Sequence, residues 1–283
     1  MKKILMALLV ALPLFANVAA GDEAPAKVES GMLTTSDKVS ISYDRYVNGR
    51  DSVIIVCPGF YNSKENRWMR KTVELLSLTY DVIIFDFRGH GKSGGRYTWS
   101  AKEPLDLDVI LNYARSCGYK HIGILAFSLG AASAINDAAH RSDIESMVLV
   151  SCPTRFKMVD FHFWEPGMFF DLIGDFATGW DGKGARTSNI FMPKDDPIDT
   201  IKKIGLTSVL FIHGDNDWVI KDRHSRKLYE AAPGYKEIEI IQGGLHAERL
   251  IEFHEEKMKK LIDGWFSRTL GPKASTVSDN PAS

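Results

Sequence analysis

Residues able to do nucleophilic chemistry follow one another in a fixed order along this chain. The first is Ser128, in the run Ala126-Phe127-Ser128-Leu129-Gly130-Ala131-Ala132. A strand-like apolar stretch, His121–Phe127, precedes it, and a helix-like stretch of small residues, Leu129–His140, follows. That context describes a sharp strand-to-helix turn with the serine at its tip. Such a turn needs small residues two places before and two places after the serine, and Ala126 and Gly130 meet this need. The turn also sets the serine at a helix N-terminus, where the dipole and unbonded N–H groups favour developing negative charge. A serine that only caps its helix is the plainer alternative for the pentapeptide taken alone.

A serine hydroxyl is a weak nucleophile. It needs a base, and the base needs a group that orients it. Candidates follow Ser128 at the ends of two later strand-like runs. One run ends in Ile212-His213-Gly214-Asp215-Asn216-Asp217-Trp218-Val219, the other in Gln242-Gly243-Gly244-Leu245-His246-Ala247-Glu248. His246 stands on a glycine-rich turn suited to holding an imidazole over a sheet edge. Asp215 and Asp217 are both candidates for the orienting acid. Motif position favours Asp217, with Val219 anchoring the loop behind it, and leaves Asp215 a turn bond. Taken singly, each residue has an ordinary reading as a turn former or cap; the three in this order, each at a strand end, do not share one. Attack on a carbonyl also requires backbone N–H donors for the oxyanion. Leu129 N–H, directly after the nucleophile, is one. The loop Pro58-Gly59-Phe60-Tyr61-Asn62-Ser63-Lys64 offers the second: Gly59 permits close backbone approach and Phe60 supplies the N–H.

These groups need a frame that gathers strand ends, and the chain's periodicity supplies one. Strand-like runs at Val39–Val47, Ser52–Cys57, Asp81–Phe87, His121–Phe127, Ser146–Ser151, Thr207–Ile212 and Glu237–Ile241 alternate with helix-like runs. The latter are Lys64–Leu78, Leu105–Arg115, Leu129–His140, Arg223–Ala231 and Ala247–Ser267, the first with Asn62 and Glu65 spaced as a capping box. This alternation predicts an α/β fold, a mostly parallel central sheet with helices on both faces. Residues from Pro153 to about Ile204 interrupt the rhythm. They carry Phe156, Phe161, Phe163, Trp164, Phe169, Phe170, Phe176, Trp180 and Phe191, which suits either a lid over a site or a local core extension.

The chain resembles the α/β-hydrolase fold superfamily, in its serine-aminopeptidase-like and lysophospholipase-like branch. Four segments carry the resemblance: Pro58–Lys64, Asp86-Phe87-Arg88-Gly89-His90-Gly91-Lys92-Ser93, Ala126–Ala132, and His213–Val219 with His246. It spans roughly residues 38–268 and departs from the family's habit in two places. Ala126 replaces the usual Gly, and Pro58 stands where relatives often have His; neither removes a catalytic group. The resemblance implies Ser128 as nucleophile, His246 as base, Asp217 as acid, and a lid insertion after the sixth strand, the one ending at Cys152. It implies a serine hydrolase acting on a small-molecule acyl substrate without a cofactor. The aromatic insertion favours carboxylic esters. Asp160, Glu165, Asp171 and Asp175 within it keep an aminopeptidase open, and a thioesterase is a third option. A non-catalytic hydrolase-like binding protein is the rival from another class; its signature would be a lost nucleophile or base, and both are present. His90 and His213 read as structural, and His162, His224 and His254 lack partners at metal-ligand spacing, so no metal is assigned.

Composition narrows the remaining classes. The 283 residues carry 35 Lys and Arg against 36 Asp and Glu, a balance that argues against a nucleic-acid partner. With 45% hydrophobic residues the chain can bury a real core, in one domain plus its insertion. Lys2 and Lys3, the apolar run Ile4–Ala16 and Val18-Ala19-Ala20 before Gly21 have the pattern of a signal peptide over 1–20. Its apolar run is short for a membrane span, which needs roughly 20 residues. The expectation is an exported, periplasmic or extracellular protein with no stable span after cleavage; an uncleaved anchor is the alternative. An N-terminal segment, 21–37, then leads to the hydrolase domain at 38–268, and a Pro-, Ser- and Ala-rich tail, 269–283, reads as disordered. Export permits disulfides, yet Cys57, Cys117 and Cys152 sit at strand and helix ends and read as buried free thiols.

Overall fold

The computed structural model describes residues 26–156 and 182–271. The leader read at 1–20, most of the aromatic insertion and the tail from 272 onward lie outside the described residues. Eight strands form one sheet: β1 (Lys27–Thr34), β2 (Ser40–Val47), β3 (Ser52–Cys57), β4 (Asp81–Phe85), β5 (His121–Phe127), β6 (Ser146–Val150), β7 (Ser208–Gly214) and β8 (Lys236–Ile241). Their order across the sheet is β1-β2-β4-β3-β5-β6-β7-β8. The β1–β2 and β2–β4 pairs are antiparallel, and every pair from β4–β3 to β7–β8 is parallel. The C-terminal ends of β3, β5, β6, β7 and β8 therefore share one edge, and the loops carrying Phe60, Ser128, Asp217 and His246 all leave from it.

Both faces of the sheet are covered, which explains why the inner strands read as unbroken apolar runs rather than alternating ones. On one face Val53, Ile55, Cys57, Ile124 and Leu149 pack with α2 (Glu103–Ser116) and α3 (Ser128–Ala138), through Leu107, Leu111, Ala131 and Ile135. On the other, Ile54, Val56, Leu125 and Val148 meet Met69 and Val73 of α1 (Arg67–Ser77) and Trp265 and Phe266 of the last helix. Every residue of α3 is buried, which accounts for its small side chains on all sides. Pro197–Thr200 (α4) and the turn Ile201–Lys203, read from sequence as part of the insertion, pack onto this core through Ile198, Ile201 and Ile204. Among the described residues no helix is long and apolar enough to cross a membrane.

Four local expectations differ from the structure. The segment expected to precede the domain at 21–37 contains β1, an edge strand whose Gly31 faces Tyr43; a Cβ there would lie 2.7 Å from the Tyr43 hydroxyl. The first helix begins at Arg67 and is capped by Asn66, which accepts from Trp68 N at 2.9 Å, not by Asn62 and Glu65. The residues between are engaged elsewhere: Lys64 N–H donates to Asp86 and the Asn62 amide to Glu248. After α5 (Arg223–Ala231), the expected single C-terminal helix is two, α6 (Arg249–Phe253) and α7 (Glu255–Thr269), broken where His254 leaves helical geometry at φ −136 and ψ 37. All three cysteines are free, and Cys57 and Cys152 are buried, but Cys117, the C-cap of α2, is partly exposed.

The loop after β4 is held by ionic bonds rather than by secondary structure. The Asp86 carboxylate accepts from the N–H of Lys64 (2.8 Å) and Lys92 (2.9 Å). Arg88, 2% exposed, donates through Nε and Nη2 to Asp106 and through Nη1 to Asp37 (2.8 Å). Burial pushes the Asp106 carboxyl up, against the pull of Arg88. Arg88→Leu would leave the fully buried Asp106 without its cation and is expected to cost about 3–5 kcal/mol of stability at alkaline pH, where that carboxyl is ionised in the parent. The folded-state pKa of Asp106 then rises further above its unfolded value. Below the parent's folded value, about 7, the carboxyl is neutral in both folded proteins and adds no difference; the deficit opens above it and grows as pH rises toward the variant's folded value. Denaturant melts of variant and parent at pH ~9.5 and ~5 check this. A deficit equal at both pH values would refute it, and Asp106→Asn added to Arg88→Leu should recover much of the loss.

Candidate active site

Ser128 stands between the last residue of β5 and the body of α3 with φ at 50°, in the left-handed region that non-glycine residues rarely adopt. Two glycines make room for the turn. A Cβ at Gly130 would lie 2.7 Å from the carbonyl oxygen of Cys57, and one at Gly59 would lie 3.2 Å from Ser128 Cβ. The Pro58–Phe60 backbone is thus pressed against the nucleophile turn. This loop turns back through Asn62 N–H donating to Gly59 O, and Tyr61 N–H donates to His90 Nε2 at 3.0 Å. His90 Nδ1 contacts Arg88 O at 3.2 Å, and burial pushes the His90 pKa down to about 4, so the ring is neutral and able to accept. The Phe60 ring packs on Trp99 (4.7 Å between centroids), Tyr97 (5.2 Å) and His90 (5.8 Å).

His246 follows β8 on the Gly243-Gly244-Leu245 turn. Its Nε2 lies 2.9 Å from Ser128 Oγ and its Nδ1 2.7 Å from Asp217 Oδ2. A carboxylate only accepts, so Nδ1 carries the hydrogen and Nε2 accepts from the Ser128 hydroxyl. The second oxygen of Asp217, Oδ1, accepts from the N–H of Val219 (2.9 Å) and Ile220 (2.8 Å). Burial alone would raise the Asp217 carboxyl. The nearby His246 charge and the hydrogen bonds from His213 and His246 outweigh it and hold the group well below the usual carboxylate range. Asp215 is exposed, and its Oδ1 accepts from Gly243 N–H at 2.7 Å. It therefore ties the acid loop to the histidine turn, and Asn216 N–H donating to Gly244 O (3.0 Å) does the same.

The structure thus brings Ser128, His246 and Asp217 into one hydrogen-bonded line, with the Phe60 loop and Leu129 beside the serine. Among the described residues no cluster of three or more His, Cys, Asp or Glu could hold a metal ion. Two contributors escaped the sequence reading. Ser151, fully buried at φ 53°, accepts from Ala247 N–H at 3.0 Å and so holds the backbone next to His246. The Asn62 amide donates to Glu248 at 2.7 Å, joining the Phe60 loop to the histidine loop. Ser151 acts across 96 positions on a backbone group, a link no spacing pattern announces. The signal for Glu248 was its place two residues after His246.

A family model for the alpha/beta hydrolase fold matches residues 52–183. The uncharacterized protein YqkD of Bacillus subtilis (strain 168) is 31% identical over 208 residues, 69% of this chain and 65% of that protein. Human protein ABHD12B is 25% identical over 199 residues, 67% of this chain and 52% of that protein. The chain therefore spans less than two thirds of the length of either relative. The solved structure of the Pyrococcus furiosus esterase Pf2001 superposes with a TM-score of 0.69 at 25% identity, covering 86% of this chain and 93% of that one. Sheet order, family model and solved relative agree on the α/β-hydrolase fold for this chain.

Proposed function

We propose that this hydrolase is a serine esterase that cleaves carboxylic esters through an acyl-enzyme on Ser128. The observation that carries the reading is the line Ser128 Oγ, His246 Nε2, His246 Nδ1, Asp217 Oδ2, with links of 2.9 and 2.7 Å, built on a strained turn at a helix N-terminus. Ser128 Oγ attacks the ester carbonyl carbon as its proton passes to His246 Nε2. The N–H groups of Phe60 and Leu129 hold the oxyanion of the tetrahedral adduct. The adduct collapses, the C–O bond to the alcohol breaks, and His246 gives its proton to the departing oxygen. Water then attacks the acyl-enzyme with His246 as base, the acid leaves, and Ser128 regains its proton. Asp217 keeps the imidazole in the tautomer this needs and stabilises the imidazolium. No step calls for a cofactor.

The preference for esters is supported by the aromatic cluster that Tyr97 and Trp99 form with Phe60, whose loop is pressed against the nucleophile turn, and by the likeness to an esterase. Export by the leader at 1–20 belongs to the same proposal. The test is a side-by-side assay of p-nitrophenyl esters of graded acyl length and amino-acid p-nitroanilides. Turnover of esters with little or none of anilides is expected. Anilide turnover exceeding that of every ester would replace the esterase with an aminopeptidase on the same residues.

A further inference from the structure

Asp217 has a second histidine partner. Its Oδ2, which accepts from His246, lies 3.2 Å from Nε2 of His213, the penultimate residue of β7. His213 is completely buried, and the same Nε2 is 2.7 Å from the carbonyl oxygen of Ile220. Both neighbours of Nε2 are pure acceptors, so Nε2 must carry the hydrogen. Nδ1 is then the acceptor in the neutral ring, and the Ser225 hydroxyl of α5, 2.7 Å away, donates to it. The tautomer of His213 is therefore set by the two acceptors at Nε2, and the Ser225 hydroxyl turns to match it.

We propose that His213 is a positioning residue for Asp217, its Nε2–H bridging the carboxylate and the Ile220 carbonyl so that a line of bonds runs Ser225–His213–Asp217–His246–Ser128. The inference rests on the hydrolase reading above. Oδ1 is pinned by two backbone N–H groups, and the His213 N–H supplies the matching restraint on Oδ2, which fixes the plane of the carboxylate toward His246. It also takes up part of the charge on Oδ2. Without it, the buried carboxylate has one donor fewer and the Asp217–His246 pair binds a proton more readily, so His246 is lost as a base at a higher pH. The titratable groups that face the pair are His213 from β7 and His224 from α5. Burial pushes the His224 pKa down to about 4, so it stays neutral across the range in which the rate changes. Arg223 and Lys227, also on α5, are the cations that act on His224.

The test follows the rate of Ser128 labelling by a fluorophosphonate across pH, in the full-length protein and in His213→Leu, His213→Gln and His213→Met. This readout needs no knowledge of the natural substrate. His213→Leu is expected to lower the plateau rate about 10- to 100-fold, the cost of a small misplacement of reacting groups. It should also move the acid limb upward by about one pH unit, as for one lost hydrogen bond to a charged group. In ester turnover the loss should fall on kcat with KM unchanged, since His213 is out of reach of substrate. His213→Gln places an amide N–H near the lost donor and should recover most of both effects. A folded His213→Leu whose acid limb coincides with the parent's would overturn the proposal and leave His213 as packing. If His213→Leu does not fold, His213→Met decides, since a thioether fills the site without offering a donor to Asp217 or the Ile220 carbonyl. An upward shift of the limb then supports the relay and an unmoved limb overturns it. A parent protein that does not label at Ser128 would instead remove the hydrolase reading itself.

Discussion

Ser128→Ala is expected to abolish labelling by a fluorophosphonate and to lower kcat for p-nitrophenyl esters about a millionfold, the scale seen when a serine nucleophile is deleted. Alanine keeps the Cβ that already tolerates the turn at φ 50°, and the side chain loses one hydrogen bond, to His246. Stability should therefore change by less than about 1 kcal/mol, so lost activity can be assigned to lost chemistry. The Phe60 and Leu129 donors and the rest of the site remain, which leaves a small residual rate above that of water. Labelling that survives the substitution at its original site would end the nucleophile assignment. Labelling that moves to another residue would show that the line Ser128–His246–Asp217 is not the reacting one.

How much of this site could be read from sequence follows from how local each constraint is. The serine turn is legible because strain confined to five residues demands small neighbours at fixed positions, and Ala126 and Gly130 supply them. The sheet is legible because strands buried on both faces read as apolar runs of five to seven residues, as in β4 (DVIIF) and β5 (HIGILAF). The edge strand β1 fails that criterion. It reads KVESGMLT, mostly exposed, and is a strand because β2 offers it eight paired residues. The break at His254 is likewise tertiary: Ala247–Ser267 keeps helical spacing throughout, and no Gly or Pro marks the interruption. Asn62 and Glu65 matched a capping pattern, yet the helix starts later because Lys64 N–H is claimed by Asp86, 22 positions on. Ser151 and Glu248 were missed for the same reason, since both act on partners far away in sequence. Local strain and burial are written in the sequence, whereas partners chosen by the folded chain are not.

Asp217→Asn is expected to lower kcat about ten-thousand-fold while Asp215→Asn changes it about twofold or less. The contrast follows from the two backbone donors on Oδ1. Val219 and Ile220 N–H must find an acceptor, so the asparagine carbonyl takes the Oδ1 position and its NH2 group faces His246. An NH2 group donates, so His246 Nδ1 must now accept, and the ring's hydrogen moves to Nε2. Nε2–H then points at Ser128 Oγ and cannot take its proton. The same NH2 also confronts the Nε2–H of His213, donor against donor. Geometry is nearly intact in this variant, but the imidazole is held in the wrong tautomer. In Asp215→Asn the amide oxygen can still accept from Gly243 N–H at an exposed position, so the tie between the acid loop and the histidine turn persists. Rates of both variants on one p-nitrophenyl ester, with KM measured alongside, decide the assignment. Equal losses would mean that neither carboxylate orients His246 alone, and the reverse order would transfer the role to Asp215.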